Sequence, residues 1–148
     1  PAAHYGALAA ALTAANTDVV VLGSAKERAI GDDVAARAAS ARVRNLCGAT
    51  SLADAVDLLA AADVAVSNDS GLLHVAAAAG APVVAIYGSS SPKITPPLTE
   101  DATVLSLEVE CSPCFARECP LGHLKCLNDL EPGAVLRAVE TRRRSVAR

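Results

Sequence analysis

Short apolar runs that stop on small polar turns alternate with helical stretches along the chain, and this alternation constrains the fold more than any other feature. Asp18–Leu22, Val43–Leu46, Val64–Val66 and Val83–Tyr87 read as buried strands, and Thr103–Leu107 as an edge strand. Their β-branched side chains are stiff at χ1 and suit a pleated backbone. Helical periodicity predicts helices at 3–15, at Glu27–Ala39 with Ile30, Val34 and Ala38 on one face, and from Leu52 with Ala55, Val56, Leu59 and Ala60 on one face. Two more are predicted at Leu72–Ala79 and at 132–143. Ser51 and Asp54 stand close to a capping box, Gly80-Ala81-Pro82 stops a helix, and Pro132 opens the last one. Strands alternating with helices predict a mainly parallel sheet covered on both faces. The expectation is α/β: a Rossmann-like three-layer α/β/α domain over residues 1–148, with a Cys/Pro-rich insertion at about 110–128.

In such sheets ligands lie beyond the carboxyl ends of the strands. Four of those ends are rich in Gly and small polar residues: Gly23-Ser24-Ala25-Lys26-Glu27, Cys47-Gly48-Ala49-Thr50, Asn68-Asp69-Ser70-Gly71 and Gly88-Ser89-Ser90-Ser91. Four such turns on one edge can line a nucleotide-sized cleft. Neither the Gly-x-Gly-x-x-Gly fingerprint nor a Walker Gly-Lys-Ser is present, which argues against a bound nicotinamide cofactor and against ATP hydrolysis.

The sharpest of these turns is Asp69-Ser70-Gly71-x-x-His74, where a polar turn leads straight into an apolar helix. A helix start presents free N–H groups and the positive end of the dipole, which suits a diphosphate. Asp69 either caps the helix or accepts from a sugar hydroxyl. Ser70 and Gly71 offer backbone N–H groups. His74, four residues after Ser70, shares its face and is either a phosphate partner or a satisfied core histidine. Glu27 is either a dipole partner for its helix or an acceptor from two vicinal ribose hydroxyls. Lys26 beside it is either solvated or within reach of a phosphate. Cys111, Cys114, Cys119 and Cys126, with His123 among them, have the spacing C-x2-C-x4-C-x6-C. They can hold a structural zinc, form disulfides or remain free thiols. Arg142-Arg143-Arg144 either complements the last helix dipole or touches an anionic membrane face.

Composition narrows the function classes. At 148 residues with 52% hydrophobic and 20% charged residues, the chain can bury a core of its own. Aromatic residues are 2% and the net charge is −3, which argues against nucleic acid as a partner. No apolar run is long enough to span a membrane. The chain opens on Pro1 and is expected to be a piece of a longer protein.

Four segments together carry a family resemblance: Val21 to Glu27, Asn45 to Leu52, Ser67 to Ala78 and Ala85 to Pro92. They resemble the ADP-heptose:lipopolysaccharide heptosyltransferases, glycosyltransferase family 9, and Thr95-Pro96-Pro97-Leu98 resembles the heptosyltransferase II branch. Asn-Asp-Ser-Gly-Leu-x-His is the most specific part. The resemblance implies the C-terminal, donor-binding half of a GT-B glycosyltransferase, with inversion at the anomeric carbon of L-glycero-D-manno-heptose. It implies that Glu27 binds ribose, the Thr50 region contacts adenine, Asp69 holds the heptose, and Ser70 and Gly71 bind the diphosphate with His74 beside it. The catalytic base and the lipopolysaccharide inner-core acceptor site are then expected in an N-terminal domain outside this chain, so the chain alone transfers nothing. No cofactor or metal is expected in the chemistry. The location implied is cytoplasmic, peripheral at the inner membrane. Two other readings are a GT-B enzyme that uses a UDP-sugar, as a transferase or an epimerase, and a non-catalytic module that binds nucleotide-sugar or is held by zinc.

Overall fold

A computed structural model describes the chain from Pro1 to Val146. It divides into two compact units, Pro1–Ala55 and Val56–Arg148.

The first unit holds helix α1 (Ala2–Ala14), strand β1 (Val19–Val21), helix α2 (Arg28–Ala38) and strand β2 (Val43–Asn45). The two strands run parallel, with Val19 opposite Val43 and Val21 opposite Asn45. Helix α1 lies on α2. The approach is close at Gly6, where an added Cβ would stand 2.5 Å from Cβ of Arg37. Small side chains fill the core here: Ala9, Ala38 and Val43, with Ala10, Val19, Val21 and Ala35 packed around them. Ile30, expected on the buried face of α2, is 58% exposed; Gly31, Val34 and Ala38 form that face instead. Helix α3 (Leu52–Ala60) crosses into the second unit. Ala55 and Leu59 are buried, whereas Leu52 and Val56 are exposed, so its buried stripe is narrower than predicted.

The second unit is built on three parallel strands in the order β3 (Ala65–Asn68), β4 (Val83–Tyr87), β5 (Ala102–Ser106). Among the described residues hydrogen bonding groups five strands as a two-stranded and a three-stranded parallel sheet, in keeping with the mainly parallel α/β expectation. Every residue of the central strand β4 is buried. Helix α4 (Gly71–Ala78) follows β3 and buries Leu73, Ala76 and Ala77; Gly80, at φ +84°, turns the chain into β4. A short helix α5 (Lys125–Asn128), not legible as a helix in the sequence, precedes α6 (Pro132–Val146).

Arg142 on α6 fastens the edge of this sheet. Its guanidinium donates to Asp101 Oδ1 at 2.7 Å, to Thr103 Oγ1 at 2.7 Å and to the Ala102 carbonyl at 2.6 Å. Arg142 is thus engaged by β5 and its approach, a partner that neither the dipole reading nor the membrane reading of this side chain supplies. Arg143 lies 3.7 Å from Asp63. The side chain of Arg144 falls outside the described residues.

Candidate functional site

In the first unit, the turn after β1 closes as a capping box. The backbone N–H and the hydroxyl of Ser24 both donate to Glu27 Oε2, at 2.7 and 2.8 Å. These bonds favour the charged carboxylate and hold the Glu27 carboxyl below its ordinary value, the backbone bond contributing most. Glu27 therefore ties off a single 3-10 turn ahead of α2, which a dipole argument alone did not specify. Lys26 beside it is exposed. The turn after β2 is stitched to this one: the Gly48 N–H donates to the Gly23 carbonyl at 2.9 Å. Gly48 sits at φ +69°, and a Cβ there would stand 2.5 Å from Ala25 Cα, so only glycine fits. Cys47 is 1% exposed; burial, then the charge of Glu27, pushes its thiol up. Thr50 follows at the same strand ends, half-buried. Ser51 then forms the anticipated capping box, with its N–H and hydroxyl on Asp54 Oδ2 at 2.8 and 2.7 Å.

In the second unit, β3 ends at Asn68 and the N–H of Asp69 still bonds the Ile86 carbonyl on β4 at 3.0 Å. The residue that caps α4 is Ser70, at φ −155° and ψ 167°. Asp69 is therefore not the cap, and that reading of it is corrected. Its carboxylate turns aside: Thr95 Oγ1 donates to Oδ2 at 2.9 Å, and His74 Nε2 lies 3.6 Å from Oδ1. His74 is partly exposed beside this carboxylate, and Asp69 is its polar partner. That geometry also corrects the view of His74 as a core histidine. At Gly71 a Cβ would meet nothing within 4 Å, so the space in front of the first turn of α4 is open. The Gly71 and Leu72 N–H groups of that turn are among those a helix leaves without internal partners, whereas the Leu73 N–H bonds the Ser70 carbonyl at 3.1 Å.

Behind Asp69 stands Tyr87, the last residue of β4 and fully buried. Its hydroxyl donates to the Thr95 carbonyl. Burial, then the Asp69 charge, raises the phenol. Tyr87 and Thr95 were not singled out for a role from the sequence. Thr95 lies in a segment that carries the family resemblance, and nothing in local spacing connects it with a residue 26 positions earlier.

The four clustered cysteines line one cavity of about 100 Å³ with His123, at the turn after β4. Ser112 Oγ donates to the Gly88 carbonyl and the Phe115 N–H to the Ser89 carbonyl at 2.7 Å. The N–H groups of Leu124, Leu121, His123 and Gly122 converge on Cys119 and hold its thiol below the ordinary value, that of Leu124 contributing most. Burial, then the neighbouring sulfurs, pushes the Cys126 thiol up. Among the described residues no three His, Cys, Asp or Glu side chains already stand in metal-coordinating geometry.

Residues 1–125 match the model of glycosyltransferase family 9 (heptosyltransferase). The chain is 42% identical over 139 residues to lipopolysaccharide heptosyltransferase 2 of Salmonella typhimurium, covering 92% of this chain and 40% of that protein. The chain thus spans about two fifths of the relative's length. The structure of E. coli ADP-heptose lps heptosyltransferase II superposes with a TM-score of 0.87 at 38% identity, covering all of this chain and 43% of that one. The E. coli heptosyltransferase WaaC with ADP shares the fold at a TM-score of 0.71 and 23% identity, over 96% of this chain and 39% of that one.

Proposed function

This chain belongs to glycosyltransferase family 9, the heptosyltransferases, and from that premise we propose that it is the donor-binding part of an enzyme moving L-glycero-D-manno-heptose from ADP-heptose to the lipopolysaccharide inner core. One observation carries the reading beyond the family: the start of α4 is open at Gly71 while the Asp69 carboxylate is held beside it by Thr95. The N–H groups of Gly71 and Leu72 take the diphosphate, assisted by the dipole. Asp69 accepts from heptose hydroxyls, and His74, when protonated, adds a positive charge near the leaving group. In the other unit both Ser24 bonds fall on Oε2 of Glu27, which supports Oε1 as the acceptor for a ribose hydroxyl. Lys26 reaches for a phosphate and Thr50 lies by the adenine.

The reaction that fits these roles is a direct displacement. An acceptor hydroxyl oxygen bonds to the anomeric carbon as the carbon–oxygen bond to the diphosphate breaks. Its electron pair leaves with ADP, configuration inverts, and the acceptor proton passes to a base outside this chain. Oriented N–H groups stabilise the departing charge in the transition state. The location that suits an inner-core acceptor is the cytoplasmic face of the inner membrane.

Calorimetric titration of the full-length protein with ADP and with UDP tests the donor, and a transfer assay with ADP-heptose tests the reaction. ADP is expected to bind at least about tenfold tighter than UDP, a difference of about 1.4 kcal/mol. Equal or tighter UDP binding, or no heptose transfer, overturns the reading. The isolated chain is expected to bind donor weakly and to transfer nothing.

A further inference from the structure

The segment from Leu107 to Leu124 contains neither helix nor strand, yet it is fixed at several points to the turn after β4. A Cβ on Gly88 would stand 2.8 Å from Leu127 Cδ2 and 3.3 Å from Cys126 Sγ, so α5, which follows the segment, packs directly on the strand end. A stretch this poor in core residues needs another source of order. Three of its residues are cysteines, and with Cys126 just beyond it they line one cavity.

We propose that Cys111, Cys114, Cys119 and Cys126 together bind one zinc ion, which staples this segment to the turn at Gly88 and Ser89. The donor set fits the metal. Four sulfur ligands satisfy the four-coordinate preference of zinc in structural sites. Two of the ligands come from Cys-Ser-Pro-Cys (111–114). The third opens the turn Cys119-Pro120-Leu121-Gly122, closed by the Gly122 N–H on the Cys119 carbonyl at 3.0 Å. The fourth, Cys126, comes from α5 at the back of the cavity.

His123 is assigned an outer role by its hydrogen bonds. Its Nδ1 accepts from the Lys125 N–H at 3.0 Å, which in the neutral ring leaves the proton on Nε2. That nitrogen faces Cys111 Sγ at 4.0 Å, so His123 supports a sulfur ligand instead of replacing one. The sulfurs surround the cavity without already standing at coordinating distances. Binding therefore draws the 111–126 loop inward and releases the protons of the ligating thiols.

The test is the metal itself. The full-length protein, produced with zinc in the medium and purified under reducing conditions without a polyhistidine tag, is expected to carry about one zinc per chain by mass spectrometry. Cys114→Ser and Cys119→Ser should lower this to below about one tenth, while Cys47→Ser leaves it unchanged. Titration of the metal-depleted wild-type protein with Co²⁺ should give sulfur-to-cobalt charge-transfer bands and the visible spectrum of a tetrahedral site, a readout independent of whether any variant folds. Reduced protein that takes up neither metal and exposes all four thiols to a thiol reagent overturns the proposal. So do two disulfides in metal-free protein, and zinc that persists in the cysteine variants. These readouts do not involve donor or transfer.

Discussion

Thr95 Oγ1 donates to Asp69 Oδ2 at 2.9 Å, and the Thr95 carbonyl in turn accepts from the buried hydroxyl of Tyr87. The carboxylate proposed to hold the sugar is thus aimed by a loop anchored to the end of β4. A flexible carboxylate would have to be ordered at the moment of binding; this one is ordered in advance.

Removing that hydroxyl tests the arrangement. Thr95→Val in the full-length protein should lower kcat/KM for the donor about tenfold or more, since a hydrogen bond to a charged group contributes roughly 1.5–3 kcal/mol. Unchanged steady-state kinetics would show that Asp69 needs no help from Thr95.

Two glycines should respond in opposite ways. Gly71→Ala meets open space, so its melting temperature should stay within about 2 °C of wild type. Its methyl group would stand in front of the helix start and weaken ADP binding in calorimetry. Gly48→Ala carries both a positive φ and a clash with the Ala25 backbone, and should lose more than about 1 kcal/mol of stability in urea unfolding.

How far the sequence foretold this site depends on the distance between partners. The ends of β1 and β4 are legible because β-branched runs stop at Gly23 and Gly88. The Ser51–Asp54 box was legible because its bonds close over three residues. The Ser24–Glu27 box has the favoured Ser-x-x-Glu spacing, a local signal that neither the dipole reading nor the ribose reading of Glu27 uses. Thr95 and Arg142 were illegible for another reason: their partners lie 26 and 39 to 41 residues away, and local periodicity carries no trace of such pairings.

The Ser24–Glu27 box also has a pH signature. The Glu27 carboxyl titrates below its unfolded value, so its contribution is fully present above the unfolded value and is lost as pH falls through the folded one. Glu27→Gln should lower the urea midpoint at about pH 7, and its gap from wild type should narrow progressively as pH falls below the unfolded carboxyl value. Asp54, lowered by the Ser51 hydroxyl and then the Ser51 N–H, shifts in the same sense. A gap between wild type and variant that persists undiminished in acid would count against the box.

Arg142→Met keeps the aliphatic stem and deletes three donors from the margin of β5. Stability should fall by about 2 kcal/mol in urea unfolding, because Asp101 and the Ala102 carbonyl lose a charged partner. Binding to anionic vesicles should not change, and a large loss of vesicle binding would restore the membrane role for this side chain.

Strand β4 is flanked on both sides and sealed along its whole length. Its amides can exchange with solvent only through rare, large openings of the unit. The strand therefore acts as a fixed datum from which the Asp69 turn and the cysteine segment take their positions. Natural variation in those loops can retune what is recognised without moving that reference.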